Sequence, residues 1–598
     1  MNAQRDAARV AASPAAADRG ASIPSSSSTS NITVSHRIKV KNNTQKKRKS
    51  STKVKTGCIT CKVRRVKCDE TKPKCQRCIK FGIECDGYRS QPPVRPKRTG
   101  AQLILPKKEK LGSPEHSFIE SIARLYGGNL DEADGSCFRL YLEETATQIN
   151  SVFPSSLWER LVPQISQAEP FVRHAIIAIG ALAKQSKSEG RRKLAGKAST
   201  TTDLQHALKQ YDKSLRGMRD AIADGQHDLR KALIACLLVY CFENMLGNQL
   251  SAAKHAESGL MLLYQWTTGK NLLGETWGTQ KLWTDHLFEE DLLGAFNSLD
   301  LQVLLFVDNR SKEVHERMKE SQSRTISSMP QQFSSLTEAR QYWNLILTRN
   351  YHFSKSMQGI EMEKIQEQRT ETPWEDSANL QTGELLLSDS KDAPASLKDE
   401  HIRYRIDIDK WTLASARLFA SLATGADERQ KIGAAILQVQ AKVNHIMLSG
   451  SFFTTETAYD VFSREFKAIV TLSETILPYI LSSYEGAAPR FHFEIGIVAA
   501  LYLVGSRCRD YNVRTRAIEL LFSSNIREGV WDALSVAHMA KWIRDIEMEG
   551  LEKGASIPEE KRFFLSAVNV DLYHRRALLG ATQRTKEGAK QRETVLTW

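Results

Sequence analysis

Apolar residues recur at three- and four-residue spacing over most of the chain from about residue 116 onward. Such spacing places side chains on one face of a 3.6-residue helical turn. Three of these faces are Val172, Ile176, Ile179 and Ala183; Leu233, Leu237 and Tyr240; and Val498, Leu501 and Leu503. Alternation with a period of two, bounded by hairpin turns, is almost absent. The pattern therefore predicts that residues 116–598 form an all-α domain.

Interruptions of this pattern predict where helices end. Gly247 and Asn248 follow one helical stretch, and the periodicity resumes over residues 252–264, which indicates an antiparallel helix pair. Two low-complexity stretches, residues 186–203 and 361–400, are predicted to be loops.

Residues 1–51 have a different character. They are rich in Ala, Ser, Thr and Asn and nearly free of large apolar side chains. Such a segment cannot offset the entropy of ordering, so we expect it to be disordered. Its one dense basic run is Lys46, Lys47, Arg48 and Lys49. This run fits a nuclear import signal or an arm that binds phosphates without sequence preference, and the two are compatible.

Positive charge is concentrated at this end of the chain. The whole sequence has 84 Lys and Arg against 69 Asp and Glu, but the segment 1–110 holds 27 against 7. A basic segment beside a mildly acidic body is typical of nucleic-acid binders, since phosphates need cations only at the contact surface. No apolar run reaches the ~18 residues of a membrane span. We therefore expect a soluble, intracellular protein that binds nucleic acid and no membrane.

Six of the ten cysteines lie close together in the sequence, at Cys58, Cys61, Cys68, Cys75, Cys78 and Cys85. The unit C-x2-C-x6-C occurs twice. Thiolates hold zinc tetrahedrally, and two zinc ions need eight sulfur bonds, which six cysteines supply only if two of them bridge. Disulfides would require an oxidising compartment, and two separate zinc knuckles would need eight ligands. The doubled spacing therefore predicts a binuclear zinc cluster.

Residues 58–85 resemble the DNA-binding domain of the fungal zinc binuclear-cluster (six-cysteine) transcription factors, without a spacing error. The resemblance implies two zinc ions. It also implies that Cys58 and Cys75 bridge them, that Cys61 and Cys68 complete one site, and that Cys78 and Cys85 complete the other. Pro73 lies where the family turns its loop.

Cations surround these cysteines. We expect short helices at residues 61–67 and 78–81, and the first carries Lys62, Arg64, Arg65 and Lys67. Six thiolates and two zinc ions sum to a charge of about −2, so part of this charge neutralises the cluster and the excess is expected to face DNA. The resemblance implies that Arg64 and Arg65 read a CGG-type triplet in the major groove. Arg77 and Lys80 are expected to contact phosphate.

The remainder of the chain also resembles this family. Diffuse similarity to its fungal-specific regulatory domain runs from about residue 116 to 550, carried by residues 169–175, 241–248, 296–310, 508–510 and 527–531. Residues 91–115 form a basic, Pro-containing linker. In the family such linkers lead to a dimerising coiled coil, which implies a homodimer. Here one amphipathic set follows, Phe118, Ile119, Ile122, Leu125 and Tyr126, which is shorter than three or four heptads.

Other candidate residues were weighed against structural roles. Residues 371–400 hold eight acidic and two basic residues, which suits an activation segment or a solvated loop. Cys137, Cys236, Cys241 and Cys508 lie in apolar surroundings and are expected in the core. His174 and His255 either line a small-molecule pocket or are core histidines. No nucleotide-binding, zinc-protease or hydrolase motif occurs, so no enzyme is predicted.

The sequence thus predicts a mostly α protein with four segments: a disordered basic arm (1–51), a two-helix binuclear zinc-cluster domain (52–90), a linker (91–115) and an all-α regulatory domain (116–598). The predicted function is a nuclear, sequence-specific transcription factor of the RNA polymerase II type. Its further partners would be the transcription machinery or co-regulators. The alternative is an intracellular zinc-cluster scaffold or protein-interaction protein without sequence-specific DNA readout.

Overall fold

The computed structural model describes residues 56–64, 66–88, 130–194, 202–223, 229–268, 290–306, 308, 310–366, 394–482, 488–585 and 588–598. The chain divides into two compact units, residues 1–107 and 108–598. Several predicted features lie outside the described residues: the N-terminal arm with Lys46–Lys49, the linker, the amphipathic set that begins at Phe118, most of the acidic stretch 371–400, and Arg65.

Within residues 56–88, the first unit forms two five-residue helices, α1 (Ile59–Val63) and α2 (Gln76–Lys80). Each begins after a cysteine whose Sγ accepts a backbone N–H three residues on: Cys58 from Cys61, and Cys75 from Cys78, both at 3.3 Å. The first helix therefore starts and ends earlier than the predicted 61–67. A helix continued to Cys68 would separate it from Cys61 by about 10 Å along the axis. Their sulfurs instead lie within 4.8 Å of each other.

The first half of the second unit is helical. Its α-helices are α3 (Glu132–Leu140), α4 (Ala146–Asn150), α5 (Val162–Ala168), α6 (Pro170–Leu194), α7 (Thr202–Ala223), α8 (Leu229–Leu246), α9 (Gln249–Thr268) and α10 (Glu290–Phe306). Two π-helical turns, Tyr141–Thr145 and Leu157–Leu161, lie among them. The apolar faces predicted on α6 and α8 are confirmed, because Val172, Ile176, Leu233 and Leu237 are all fully buried in one core.

The predicted helix pair at Gly247 is also confirmed. Helix α8 ends at Leu246, and Gly247 has φ +101°, the left-handed conformation that glycine tolerates best. The N–H groups of Gly247 and Asn248 both donate to the Glu243 carbonyl, at 3.0 and 2.8 Å. These bonds satisfy the last turn, and α9 then runs back against α8.

The two stretches predicted as loops are partly helical. Helix α6 continues to Leu194, because its polar side chains find partners within the unit. The Ser186 hydroxyl accepts the N–H of Ala488 at 3.0 Å, and Lys187 pairs with Glu144. Residues 361–366 and 395–400 likewise belong to helices.

The second half forms its own core. Its α-helices are α11 (Lys312–Ser327), α12 (Leu336–Gln366), α13 (Ala395–Thr424), α14 (Glu428–Gly450), α15 (Ser463–Leu481), α16 (Val498–Arg507), α17 (Tyr511–Ser523) and α18 (Ala533–Glu547). Two 3-10 turns are Glu456–Phe462 and Glu559–Lys561. The apolar face of α16 is buried as predicted, with Val498 and Leu501 fully inside. None of the described helices has the length and apolar character needed to cross a membrane.

The mostly α prediction is confirmed, but the body is not all-α. It contains two three-stranded sheets. Their strands are β1 (Arg490–His492), β2 (Ile526–Glu528) and β3 (Trp531–Asp532), then β4 (Phe563–Asp571), β5 (Arg576–Thr585) and β6 (Gly588–Thr597). In the first sheet β2 pairs in parallel with β1 and antiparallel with β3. The second is an antiparallel meander. A register shift between Leu565 and Ala567 breaks the period-two signal of β4.

A buried carboxylate links the small sheet to α16. Glu528 is fully buried, and its two oxygens accept the N–H groups of Gly496, Ile497 and Val498 at 2.8 to 2.9 Å. Helix starts leave such N–H groups without intrahelical partners. Burial raises the pKa of Glu528 to about 7. The carboxyl group thus fixes where α16 begins relative to β2.

We expect Glu528→Gln to lower the free energy of unfolding of the body by about 1–3 kcal/mol, because the new NH2 group replaces an acceptor and leaves buried donors unsatisfied. The measurement is a urea titration followed by tryptophan fluorescence. Glu519→Gln, at a side chain that is 59% exposed, is the matched control. Equal midpoints for the two variants would contradict the role of Glu528.

Candidate metal centre and nucleic-acid interface

The six cysteines of the first unit converge on one point. All six are at most 6% exposed, in a segment where most other side chains face solvent. They form two groups of four, Cys58, Cys61, Cys68 and Cys75, and Cys58, Cys75, Cys78 and Cys85. Within each group all sulfurs lie within 4.8 Å of one another. Cys58 and Cys75 belong to both groups.

The spacing of the sulfurs fits zinc. Ligands about 2.3 Å from a tetrahedral zinc lie roughly 3.8 Å from each other. The Sγ atoms of Cys58 and Cys75 are 3.6 Å apart, and those of Cys61 and Cys75 are 3.7 Å apart. Cys58 and Cys78 are separated by 3.9 Å. The arrangement suits two ions, each held by four sulfurs.

Backbone N–H groups support the sulfurs in a repeated pattern. Cys58 N–H donates to Cys68 Sγ at 3.4 Å, and Cys75 N–H donates to Cys85 Sγ at 3.5 Å. The two halves of the motif therefore share the same N–H to Sγ hydrogen bond, and they also share the same Sγ cap at the start of the helix. Such donors stabilise thiolate charge and orient the ligands.

The protons on these thiols are the competitors of the metal. Burial raises the pKa of the Cys58 thiol to about 12 and raises that of Cys75 further. Binding of zinc must displace those protons, so zinc affinity falls as the pH is lowered.

Hydrogen bonds close the ends of the segment around the cluster. The Thr60 hydroxyl donates to the Asp86 carboxylate and accepts the Asp86 N–H, both at 2.9 Å. Ile59 N–H donates to the Gly87 carbonyl at 3.0 Å. The start of α1 is thereby tied to the chain that follows Cys85.

The predicted DNA-contacting residues lie in different settings. Lys62 in the last turn of α1 and Lys67 beyond it are exposed, as are Arg77 and Lys80 on α2. Arg64 is only partly exposed, and its guanidinium lies 3.9 Å from the centre of the Phe81 ring. Phe81 was not predicted to belong to the site. The sequence offered one indication, because Phe81 is an aromatic residue three positions after Cys78. In the structure this side chain is 68% exposed.

Residues of the second unit that were weighed as ligands have structural partners. Cys137, Cys241 and Cys508 are at most 2% exposed, in apolar cores. His174 Nδ1 lies 2.8 Å from Gln210 Oε1, as expected for a satisfied histidine. The Cys236 thiol donates to the carbonyl of His255 at 2.8 Å. In the described ranges, only the six cysteines of the first unit gather as a potential metal site.

Comparison with known proteins agrees with this geometry. Residues 56–94 match the fungal Zn(2)-Cys(6) binuclear cluster domain, and residues 136–266 match the fungal specific transcription factor domain. The second match ends within helix α9, so helices α10 to α18 and both sheets lie beyond it.

Similar proteins include the aspercryptin biosynthesis cluster-specific transcription regulator atnN of Emericella nidulans, 23% identical over 86% of this chain and 91% of that protein. The transcription regulator lscL of Purpureocillium lilacinum is 27% identical over 35% of this chain and 48% of its own. Over 36 residues, 6% of this chain and 7% of its own, the transcriptional regulatory protein moc3 of Schizosaccharomyces pombe is 61% identical. No solved structure matches.

Together, the two matched domains and relatives named as transcription regulators support a fungal zinc binuclear-cluster transcription factor. It is a DNA-binding transcription regulator whose cluster domain binds two zinc ions.

Proposed function

We propose that this regulator reads a CGG-like triplet by placing the C-terminal end of α1 in the major groove of nuclear DNA. The observation that carries the proposal is the exposed cationic end of α1 on a helix whose first residue follows a buried cluster cysteine. Lys62 and Lys67 are exposed there, and Arg65 follows the C-cap residue Arg64 in sequence.

Recognition of a base requires a rigidly held side chain, whereas electrostatic attraction to phosphates does not. A base edge is recognised only by a side chain held in register with it, and an Arg pairs with guanine O6 and N7 through two hydrogen bonds. The Thr60–Asp86 bonds and the Cys58 cap fix α1 within the unit. The stacking of Arg64 on Phe81 fixes the direction of one cation. We assign Arg64 and Arg65 to the triplet, and Arg77 and Lys80 to the phosphates.

The metal ligands are assigned on the same grounds. We propose that Cys58 and Cys75 bridge the two ions, which the overlap of the two cysteine groups supports. Cys61 with Cys68 would complete one site, and Cys78 with Cys85 the other. Zinc supplies a fixed, buried anchor in a segment that has little other core.

The remaining assignments rest on the sequence. Lys46, Lys47, Arg48 and Lys49 would act as the nuclear import signal and as a phosphate-binding arm. The helical body would contact co-regulators or the transcription machinery. A homodimer would let two clusters read two triplets.

The decisive comparison is between Arg65 and the basic arm. We expect Arg65→Ala to weaken binding to a CGG-containing duplex by about 1–3 kcal/mol and to affect a scrambled duplex much less. Replacing the four cations 46–49 with Ala should weaken binding to both duplexes alike. It should also reduce the salt slope by up to about 0.9 per lost phosphate contact. The measurement is a pair of binding titrations at several salt concentrations for each variant.

The outcome for Arg65 decides the readout. An equal loss on both duplexes would make this residue a phosphate anchor and refute its role in reading bases. If the unaltered protein bound both duplexes equally at every salt concentration, the scaffold alternative would replace sequence-specific regulation.

A further inference from the structure

A cavity of about 160 Å³ lies in the second core of the body. Helices α10, α12, α14, α16 and α18 contribute to its wall together with the start of β4. The family-model match ends at residue 266, so this cavity lies in the part of the chain beyond it.

Two cations face this space. Lys355 of α12 and Arg507 of α16 are among the residues that line it, and none of the lining residues is acidic. Burial lowers the pKa of both side chains, that of Arg507 to about 9. The wall therefore has two basic side chains and no acidic one.

Lys355 has no direct counter-ion among the described residues. The carboxylate that influences it most, Asp308, is already held by Arg310, with Nε–Oδ1 at 2.8 Å and Nη2–Oδ2 at 2.6 Å. No ion pair or hydrogen bond joins the Lys355 ammonium group to any described side chain. An anion that enters the cavity would supply the missing partner.

A cluster of buried charged groups lies behind Arg507. Arg507 pairs with Glu456, Arg509 bridges Glu456 and Glu547, and Arg514 pairs with Glu547. Three arginines thus share two carboxylates, all of them at most 9% exposed. Glu559 nearby accepts the backbone N–H groups of Glu456 and Thr457 rather than an arginine. With the charge of Glu559 the three arginines face three carboxylates, so the choice of an anion for the cavity rests on Lys355.

Apart from Ser354, Ser451 and Ser506, the rest of the wall is mainly apolar and rich in aromatic rings. It includes Tyr351, Tyr459, Tyr502, Trp531, Phe563 and Phe564. A dry cavity of about 150 Å³ in another protein accommodates benzene. A space of this volume therefore fits one six-membered ring with a small substituent.

We propose that this cavity is a ligand site for a small aromatic carboxylate, in which Lys355 binds the carboxylate and the aromatic wall encloses the ring. The site goes beyond DNA binding and does not depend on it. A neutral ring would leave Lys355 without a partner, and an aromatic amine would be repelled by both cations. Of the three kinds of ligand, only the aromatic carboxylate both pairs with the Lys355 ammonium group and packs its ring against the aromatic wall.

The test is calorimetric titration of the zinc-loaded full chain with benzoate, benzyl alcohol and benzylamine. Benzoate should bind at least about tenfold more tightly than the alcohol, since one charge-assisted hydrogen bond is at stake. Lys355→Met should weaken the binding of benzoate by about the same factor and leave the affinity for benzyl alcohol unchanged. Lys467→Met, at an exposed position of α15, is the matched control and should change neither.

Filling the cavity tests the location separately. Ala499 lines the same space, and Ala499→Leu should weaken benzoate while leaving the DNA affinity unchanged. This variant decides the question if Lys355→Met does not fold. Equal affinity for acid and alcohol would overturn the proposal, as would unaltered benzoate binding in Lys355→Met or Ala499→Leu.

Discussion

Replacing Cys58 or Cys75 with serine will release both zinc ions, whereas replacing Cys61 or Cys85 will chiefly perturb one. The reason is that Cys58 and Cys75 alone belong to both groups of four sulfurs. The unit will also lose its fold when both ions leave. Beside the six cysteines, the core formed by its described residues has only Val66, Ile83 and Tyr88, all partly buried. Structural zinc contributes roughly 10–16 kcal/mol in small domains, far more than these side chains provide.

The measurement is zinc per full-length chain after dialysis, with hydrogen exchange of residues 56–88 as the readout of folding. Cys236→Ser is the matched control, because Cys236 lies in the second unit, and it should retain two zinc ions. Equal zinc loss for all six cluster substitutions would refute the bridging scheme. A folded segment without metal would refute the claim that zinc forms its core.

The second large effect is expected for Glu547→Ala in the body. Glu547 is fully buried and binds Arg509 at 2.6 Å, Arg514 at 2.5 Å and the N–H of Phe563 at 2.7 Å. Burial opposes its ionisation, but the two arginines outweigh that effect and lower the pKa of Glu547. Removing the carboxylate leaves the buried Arg514 without a carboxylate partner and Arg509 with Glu456 alone, which should cost about 3–5 kcal/mol of unfolding free energy.

Urea unfolding followed by tryptophan fluorescence measures this loss in the body alone, because all ten tryptophans lie between residues 158 and 598. Asp545→Ala is the control. Asp545 is 42% exposed and pairs with Lys541 at 2.6 Å, so its loss should cost less than about 1 kcal/mol. Similar midpoints for the two variants would show that the buried pairs contribute no more than a surface pair.

Local chemistry explains which parts of the fold were predictable. Ligand spacing is dictated by the metal, so C-x2-C-x6-C identified the cluster without knowledge of the surrounding backbone. The buried face of α6 follows from the 3.6-residue period of its apolar positions. The turn at Gly247 follows from the tolerance of glycine for positive φ, and both properties are also local. The predicted bounds of α1 were wrong. The helix must end early so that the chain can bring Cys68 back to the cluster, and this depends on tertiary contacts rather than on local sequence.

The features that were missed depend on distant contacts. Strand β5 buries Ala577, Leu579 and Ala581 in alternation, but small residues in β5 and a bulge in β4 weaken the pattern. Arginine is ordinarily a surface residue, so nothing local marks Arg509 and Arg514 as buried. Their carboxylate partner Glu547 is more than thirty positions away. The cavity beside Arg507 likewise forms from elements that range from α10 to β4 along the chain.

The caps of α1 and α2 couple metal occupancy to helix formation. The two sulfurs common to both metal groups, Cys58 and Cys75, are also the acceptors at the first turns of these helices. Replacing either shared sulfur therefore removes a helix cap and a ligand common to both groups at once. Two separate knuckles would lose their metals independently, and the helices would melt one at a time. Here DNA affinity should follow free zinc as a steep, cooperative switch, with little population of a one-zinc form.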